Sequence, residues 1–191
     1  MVEPSKKVVI LCEGQHECFL VQKLLEGQPF EYASKKKIQD TPRDGEIKII
    51  KEFHRPRNNS KFLIKDEDGK DKCIKTFCEL YTNCTLYNFV VILDADRKRT
   101  LRKFRKTAKY ITKMDILDKI EDYKFVTKDE KKHPVFFISP SLEGIVKDTT
   151  NENVDNGKQD EQKRKLEKFL EESNAPWIDP LYSALTSARS F

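Results

Sequence analysis

The feature that most limits what this chain can become is the stretch Phe89-Val90-Val91-Ile92-Leu93-Asp94-Ala95-Asp96-Arg97. A short, uniformly apolar run of this kind reads as a strand buried on both faces. Such strands belong to parallel sheets with helices packed on either side. Open α/β sheets carry their functional groups at the carboxyl ends of the strands. Asp94 and Asp96 stand two residues apart, so in extended backbone they project from the same side. Two carboxylates held together repel each other unless one is protonated or a cation lies between them. Oxygen donors of this type suit Mg2+ or Mn2+. Taken alone, Asp-x-Asp after a strand also reads as a plain polar turn.

The same pattern recurs twice. Lys7 to Cys12 is apolar after its first residue and runs into Glu13 and Gly14. Beyond the glycine, Cys18, Phe19, Leu20, Val21, Leu24 and Leu25 recur at helical spacing, and Gly27 and Pro29 close the helix. Glu17 falls in the first helical turn, where an acid also complements the helix dipole. The third run is Val135-Phe136-Phe137-Ile138. It is followed by Ser139 as a candidate N-cap and Pro140 at the first helical position, which puts Glu143 in the first turns. Parallel neighbouring strands would bring Glu13, Asp94, Asp96 and Glu143 to one edge. Such a cluster calls for a divalent metal and serves phosphoryl chemistry.

The intervening segments are expected as follows. Residues 31 to 45 are polar, Glu46 to Phe53 reads as a strand, and Phe62 to Ile64 as a further short one. Asp66-Glu67-Asp68-Gly69 lacks calcium-loop spacing and reads as a solvated turn. Helices are predicted over Cys73 to Tyr81, Ile111 to Ile120, Gln162 to Glu172 and Leu181 to Ala188, with a polar loop at 148–160. The chain is expected to be one domain over 1–191, with a helical extension from about residue 150.

Behind the aspartates the charge becomes one-sided. Arg97, Lys98, Arg99, Arg102, Lys103, Arg105, Lys106 and Lys109 fall within thirteen residues that contain no acid. The net charge is only +5, so a nucleic-acid reading rests on this local density. Such a stretch behind a carboxylate pair suits a phosphate-backbone track; an exposed basic helix is the plainer reading. The five cysteines include no C-x-x-C pair, and the three histidines have no ligand spacing, which argues against a disulfide framework or a structural zinc site. No apolar stretch approaches 18 residues and no secretory h-region opens the chain, so no membrane association and a cytoplasmic location are expected.

The order of these motifs resembles the TOPRIM domain of topoisomerases, bacterial primases and several nucleases. The residues that carry the resemblance are Val8-Val9-Ile10-Leu11-Cys12-Glu13-Gly14-Gln15-His16-Glu17 and Val90-Val91-Ile92-Leu93-Asp94-Ala95-Asp96. The resemblance implies an α/β fold with a mostly parallel central sheet and helices on both faces. It implies Mg2+ (or Mn2+) held by Glu13, Asp94 and Asp96, with Glu17 assisting and Glu13 alternatively a general acid or base. Glu143 looks like the later acid of the small nuclease branch, which includes the overcoming-lysogenisation-defect nucleases. The third aspartate of topoisomerase versions is replaced here by Lys98. The long separation of Glu13 from Asp94 implies an insertion within residues 45–72.

Three functions follow as expectations. The first is a metal-dependent nuclease acting on DNA or RNA, with Glu13, Asp94, Asp96 and Glu143 catalytic and Arg97, Lys98, Arg99, Arg102, Lys103 and Arg105 on phosphates. A partner ATPase or a homodimer is compatible with it. The second is a non-catalytic nucleic-acid-binding or partner module of the same fold. The third, a nucleotide-binding doubly wound domain, lacks G-x-G-x-x-G and P-loop signals.

Overall fold

The computed structural model describes residues 7–34, 36–37, 45–83, 88–95, 98–119, 124–128, 133–139 and 141–187. The strands are β1 (Val8–Cys12), β2 (Phe30–Ala33), β3 (Phe62–Asp66), β4 (Asn88–Asp94), β5 (Leu117–Lys119), β6 (Lys124–Thr127) and β7 (Pro134–Ile138). The helices are α1 (Gln15–Leu24), α2 (Gly45–Phe53), α3 (Lys70–Asn83), α4 (Lys98–Thr112), α5 (Leu142–Thr150), α6 (Gln159–Glu172) and α7 (Ile178–Ser187). One seven-stranded sheet runs β2-β3-β1-β4-β7-β6-β5. Its first five strands are parallel, and β6 and β5 add an antiparallel edge. The expected α/β class, with a mostly parallel sheet between helical layers, is what the chain adopts. Among the described residues, no helix is long and apolar enough to cross a membrane.

The apolar runs explain the layering. Along β4, Val90 and Ile92 enter one core, while Phe89, Val91 and Leu93 enter the other. The first core is closed by α1, α5, α6 and α7 through residues such as Phe19, Leu142, Leu166, Phe169 and Leu181. The second is closed by α2, α3 and α4 through Phe53, Phe77 and Phe104. A strand with both sides buried has no room for polar residues until it ends. Residues beyond 150 are integral: Phe169 stacks on Trp177 with centroids 6.2 Å apart, and both lie in the first core.

The chain order also fixes where a crevice opens. β1 continues into α1 on the first face, whereas its neighbours β3 and β4 continue into α3 and α4 on the second. Adjacent strands whose connections leave in opposite directions leave a gap at their carboxyl ends. β7 then returns the chain to the first face through α5.

Several expectations are corrected. Glu46 to Phe53 is not a strand: α2 spans Gly45–Phe53, and its buried Ile49, Ile50 and Phe53 share one helical face while Ile47 is exposed. The β-branched composition yields here to packing against the sheet. The polar stretch 31–45, for which no strand was expected, opens with one: β2 adds a parallel edge strand over Phe30–Ala33. The helix expected over Ile111 to Ile120 stops at Thr112. Lys113 takes a left-handed φ of 63°, and Leu117–Lys119 pairs with β6. The N-cap of α5 is Ser141, whose hydroxyl accepts from Gly144 N–H at 3.2 Å, rather than Ser139. Residues 45–72 contain β3, which lies inside the sheet between β2 and β1. Asp96, Arg97 and Pro140 lie outside the described residues.

Candidate functional site

The three acid-ended strands are neighbours, in the order β1-β4-β7. Their carboxyl ends open on a cleft of 440 Å³ lined, among the described residues, by six carboxylates and a single basic side chain, His16. Glu13 leaves β1 in register: its N–H bonds the Ile92 carbonyl at 3.1 Å and its own carbonyl accepts from Gly69 N–H at 2.7 Å. Its carboxylate accepts from Asp94 N–H at 3.0 Å and lies 3.8 Å from Lys70 Nζ. Glu13 thus ties β1, β4 and the loop after β3 together at the mouth of the crevice.

Glu17 is only 3% exposed. It stands at the third position of α1 and reaches back to accept from Gly14 N–H at 2.9 Å, the reach-back half of a capping box. Gly14 has φ −153°, ordinary extended backbone, so the turn itself does not demand glycine. Asp94 ends β4, and its Oδ1 accepts from the Leu142 N–H that opens α5, at 2.9 Å. Glu143 follows Leu142 and accepts from His16 Nδ1 at 2.8 Å. Two helix N-termini therefore face the cleft, and two of its acids complete helix ends.

Carboxylate oxygens of Glu17, Asp94 and Glu143 all lie within 4.8 Å of one another. Burial, then repulsion from Glu17 and Glu143, pushes Asp94 up to about 9. Burial, then repulsion from Glu143, pushes Glu17 up to about 7. The His16 hydrogen bond works the other way, holding Glu143 down at about 2. His16 is raised in return: burial opposes its charge, but the hydrogen bond to Glu143 and three nearby carboxylates outweigh it. Three acids at this separation do not all ionise unaided; they hold protons where a cation would otherwise sit. His16, Glu143 and Asp155 form a second group within the same 4.8 Å limit, sharing Glu143 with the first. All-carboxylate oxygens suit a hard divalent ion, so the first group fits Mg2+ or Mn2+.

The grouping differs from the ligand set that the resemblance implies. Asp94 is in it, Glu13 stands beside it with its carboxylate turned to a backbone amide and to Lys70, and Glu17 and Glu143 complete it. Asp96 lies outside the described residues. Arg99, Arg102 and Lys103 are exposed on α4, where Phe104 and Ala108 pack in the second core. The basic helix thus runs behind the sheet from the acids. Lys103 pairs with Asp71, and Arg105 lies 3.4 Å from Asp115. Lys98 opens the helix.

The sequence reading missed Asp66, Asp68 and Gly69, which line the cleft. Asp66 is 7% exposed and Glu67 is fully buried, so the segment is not a solvated turn. The signal was present: Phe62 to Asp66 is a fourth apolar run ending in acid, disguised by Lys65. That lysine is itself fully buried and pairs with Glu67. Comparison with protein-family models, with curated proteins and with solved structures finds no match.

Proposed function

We propose that the protein is a metal-dependent nuclease, hydrolysing phosphodiester bonds of DNA or RNA on a TOPRIM-like scaffold. One observation carries the reading: Glu17, Asp94 and Glu143 close to within 4.8 Å in a cleft at the switch point of the sheet. Like charges drawn from three elements and packed together are a standing cost to the fold. A bound divalent ion turns that cost into binding. The motif order that resembles the TOPRIM family points to the same class.

Glu17, Asp94 and Glu143 would hold the ion, which supplies Lewis-acid polarisation of a phosphate and a more acidic water. Glu13 fixes the Asp94 backbone through the 3.0 Å hydrogen bond, and Leu142 N–H fixes the Asp94 carboxylate, so the donor oxygens are held by the sheet and by α5. His16 Nδ1 keeps Glu143 ionised and its proton within reach of the cleft.

The test is cleavage of plasmid, single-stranded DNA and structured RNA with Mg2+, with Mn2+ and with EDTA. Cutting is expected only with metal and should be lost in Asp94→Asn, at an unchanged melting temperature or a higher one. Cutting that persists in EDTA, or in Asp94→Asn, rejects the reading. A non-catalytic binding module is the second reading, favoured by the placement of α4: its exposed cations lie across the sheet from the acids and could bind phosphates without any chemistry.

A further inference from the structure

A second hollow of 610 Å³ adjoins the acid cleft, and the two share Gln15 and Asp66 in their walls. It lies between α1, the edge strand β2 and the start of α6. Gln15, Phe19 and Gln22 form one stripe of α1 at spacings of four and three residues. Tyr32, half-buried against the first core, forms the opposite wall, and exposed Lys36 and Lys163 flank the opening. Lys163 Nζ sits 4.9 Å from the Phe19 ring centre. A third hollow of 260 Å³ continues along α1 and shares Phe19, Gln22 and Lys163. Sharing walls in sequence, the three run from the acid cleft along α1, and the third also holds Glu26 and Glu167, each paired with Lys23.

The most informative atom in this groove is Gln22 Nε2. It is shut off from bulk solvent and has no hydrogen-bond partner. A buried amide left unsatisfied is costly, and natural folds rarely retain one. The Gln22 side chain lines the groove, and turning its amide outward would let an acceptor there satisfy it. Amide, aromatic and lysine walls beside a carboxylate cleft match the way unpaired strands are held: bases stack on aromatic rings, their edges meet amides, and cations follow the backbone. A duplex hides its base faces and makes no use of such walls.

We infer that this groove seats an unpaired nucleic-acid strand, its bases against Tyr32 and Gln22 and its backbone leading to the acid cleft. The inference rests on the nuclease reading and narrows it, naming single-stranded segments as the substrate class. Recognition then lies on the first face of the sheet, with the chemistry, and not on α4.

The experiment is equilibrium binding in EDTA, where cutting cannot interfere. The probes are fluorescein-labelled oligodeoxythymidylate, oligouridylate and a mixed-sequence duplex of equal length. The single strands are expected to bind more tightly than the duplex, and comparing the first two tells DNA from RNA. Tyr32→Ala and Gln22→Leu should each weaken single-strand binding about 10-fold, the scale of one stacked base, with duplex binding unchanged. Lys163→Glu, at an exposed position that folding does not need, should weaken it in the same direction. Duplex binding as tight as single-strand binding, or Lys163→Glu and Tyr32→Ala both without effect, overturns the inference. The two readings separate cleanly. Metal-dependent cleavage that ignores the groove variants removes the groove alone. Groove-dependent binding by a protein that cuts nothing removes the nuclease alone.

Discussion

Two buried charge clusters sit at the ends of neighbouring strands, and they are built on opposite terms. At the end of β3, Lys65 and Glu67 are both fully buried; they pair with each other, and Thr76 Oγ1 donates to the second Glu67 oxygen at 2.9 Å. Past the ends of β1 and β4, Glu17, Asp94 and Glu143 crowd together, and the His16 imidazole bonds Glu143. The first cluster carries its own counter-charge; the second needs one from outside or from protons. A self-satisfied cluster fixes the loop carrying Asp66, Asp68 and Gly69, while an unsatisfied one is suited to bind.

Breaking the first cluster should do the greater damage to the fold. Glu67→Ala leaves Lys65 charged and buried, and a loss of about 3–5 kcal/mol is expected from urea unfolding. Lys65→Met combined with Glu67→Leu should recover much of that loss. If the single variant unfolds within 1 kcal/mol of the parent, the pair is not the anchor described.

Breaking the second should have the opposite sign. Asp94→Asn keeps an acceptor for Leu142 N–H and removes a crowded charge. The folded Asp94 binds its proton up to about pH 9, against about 4 when unfolded, so the parent loses stability as pH rises between those values. The advantage of Asp94→Asn over the metal-free parent should therefore be small near pH 5, grow to about 1–3 kcal/mol by pH 8, and shrink when Mg2+ is added. Denaturation curves at the two pH values, with and without metal, decide it. A gap that narrows as pH rises would contradict the crowding.

The smallest effect belongs to an exposed pair, which calibrates the other two. Lys103 and Asp71 touch on the surface, with side chains 50% and 69% exposed. Lys103→Ala should change the unfolding free energy by no more than about 0.5 kcal/mol. A larger change would show that α4 depends on this bridge to stay packed.

How much of this could be read beforehand follows from the same contrast. β1, β4 and β7 announce themselves because strands buried on both faces must be continuously apolar, and their terminal acids mark one edge. The short strands β2, β5 and β6 do not, since three or four residues carry no clear period. Ile49, Ile50 and Phe53 in α2 fit either a strand or one helical face, and only packing on the sheet decides between them. Buried Lys65 hid the end of β3, past the expected Phe62 to Ile64, for a physical reason: local composition cannot show a counter-charge supplied two residues later and a hydroxyl from the next helix. The convergence of Glu17 with Glu143 was expected from the family resemblance and not from their spacing, as it depends on α1 and α5 leaving the sheet on the same face.

The crowded acids of the cleft come from chain positions 17, 94 and 143, so no two elements alone can bring all three together. Their repulsion switches on only after β1, β4 and β7 have aligned and α5 has docked. An early, compact folding nucleus never meets it; the finished protein does. Relieving the crowding, by substitution or by an ion, should accordingly leave the folding rate almost unchanged and lengthen the lifetime of the folded state. In a cell proteases sample the open state, whose population and rate of formation both fall with that relief, so occupancy of the cleft would be registered as persistence of the protein itself.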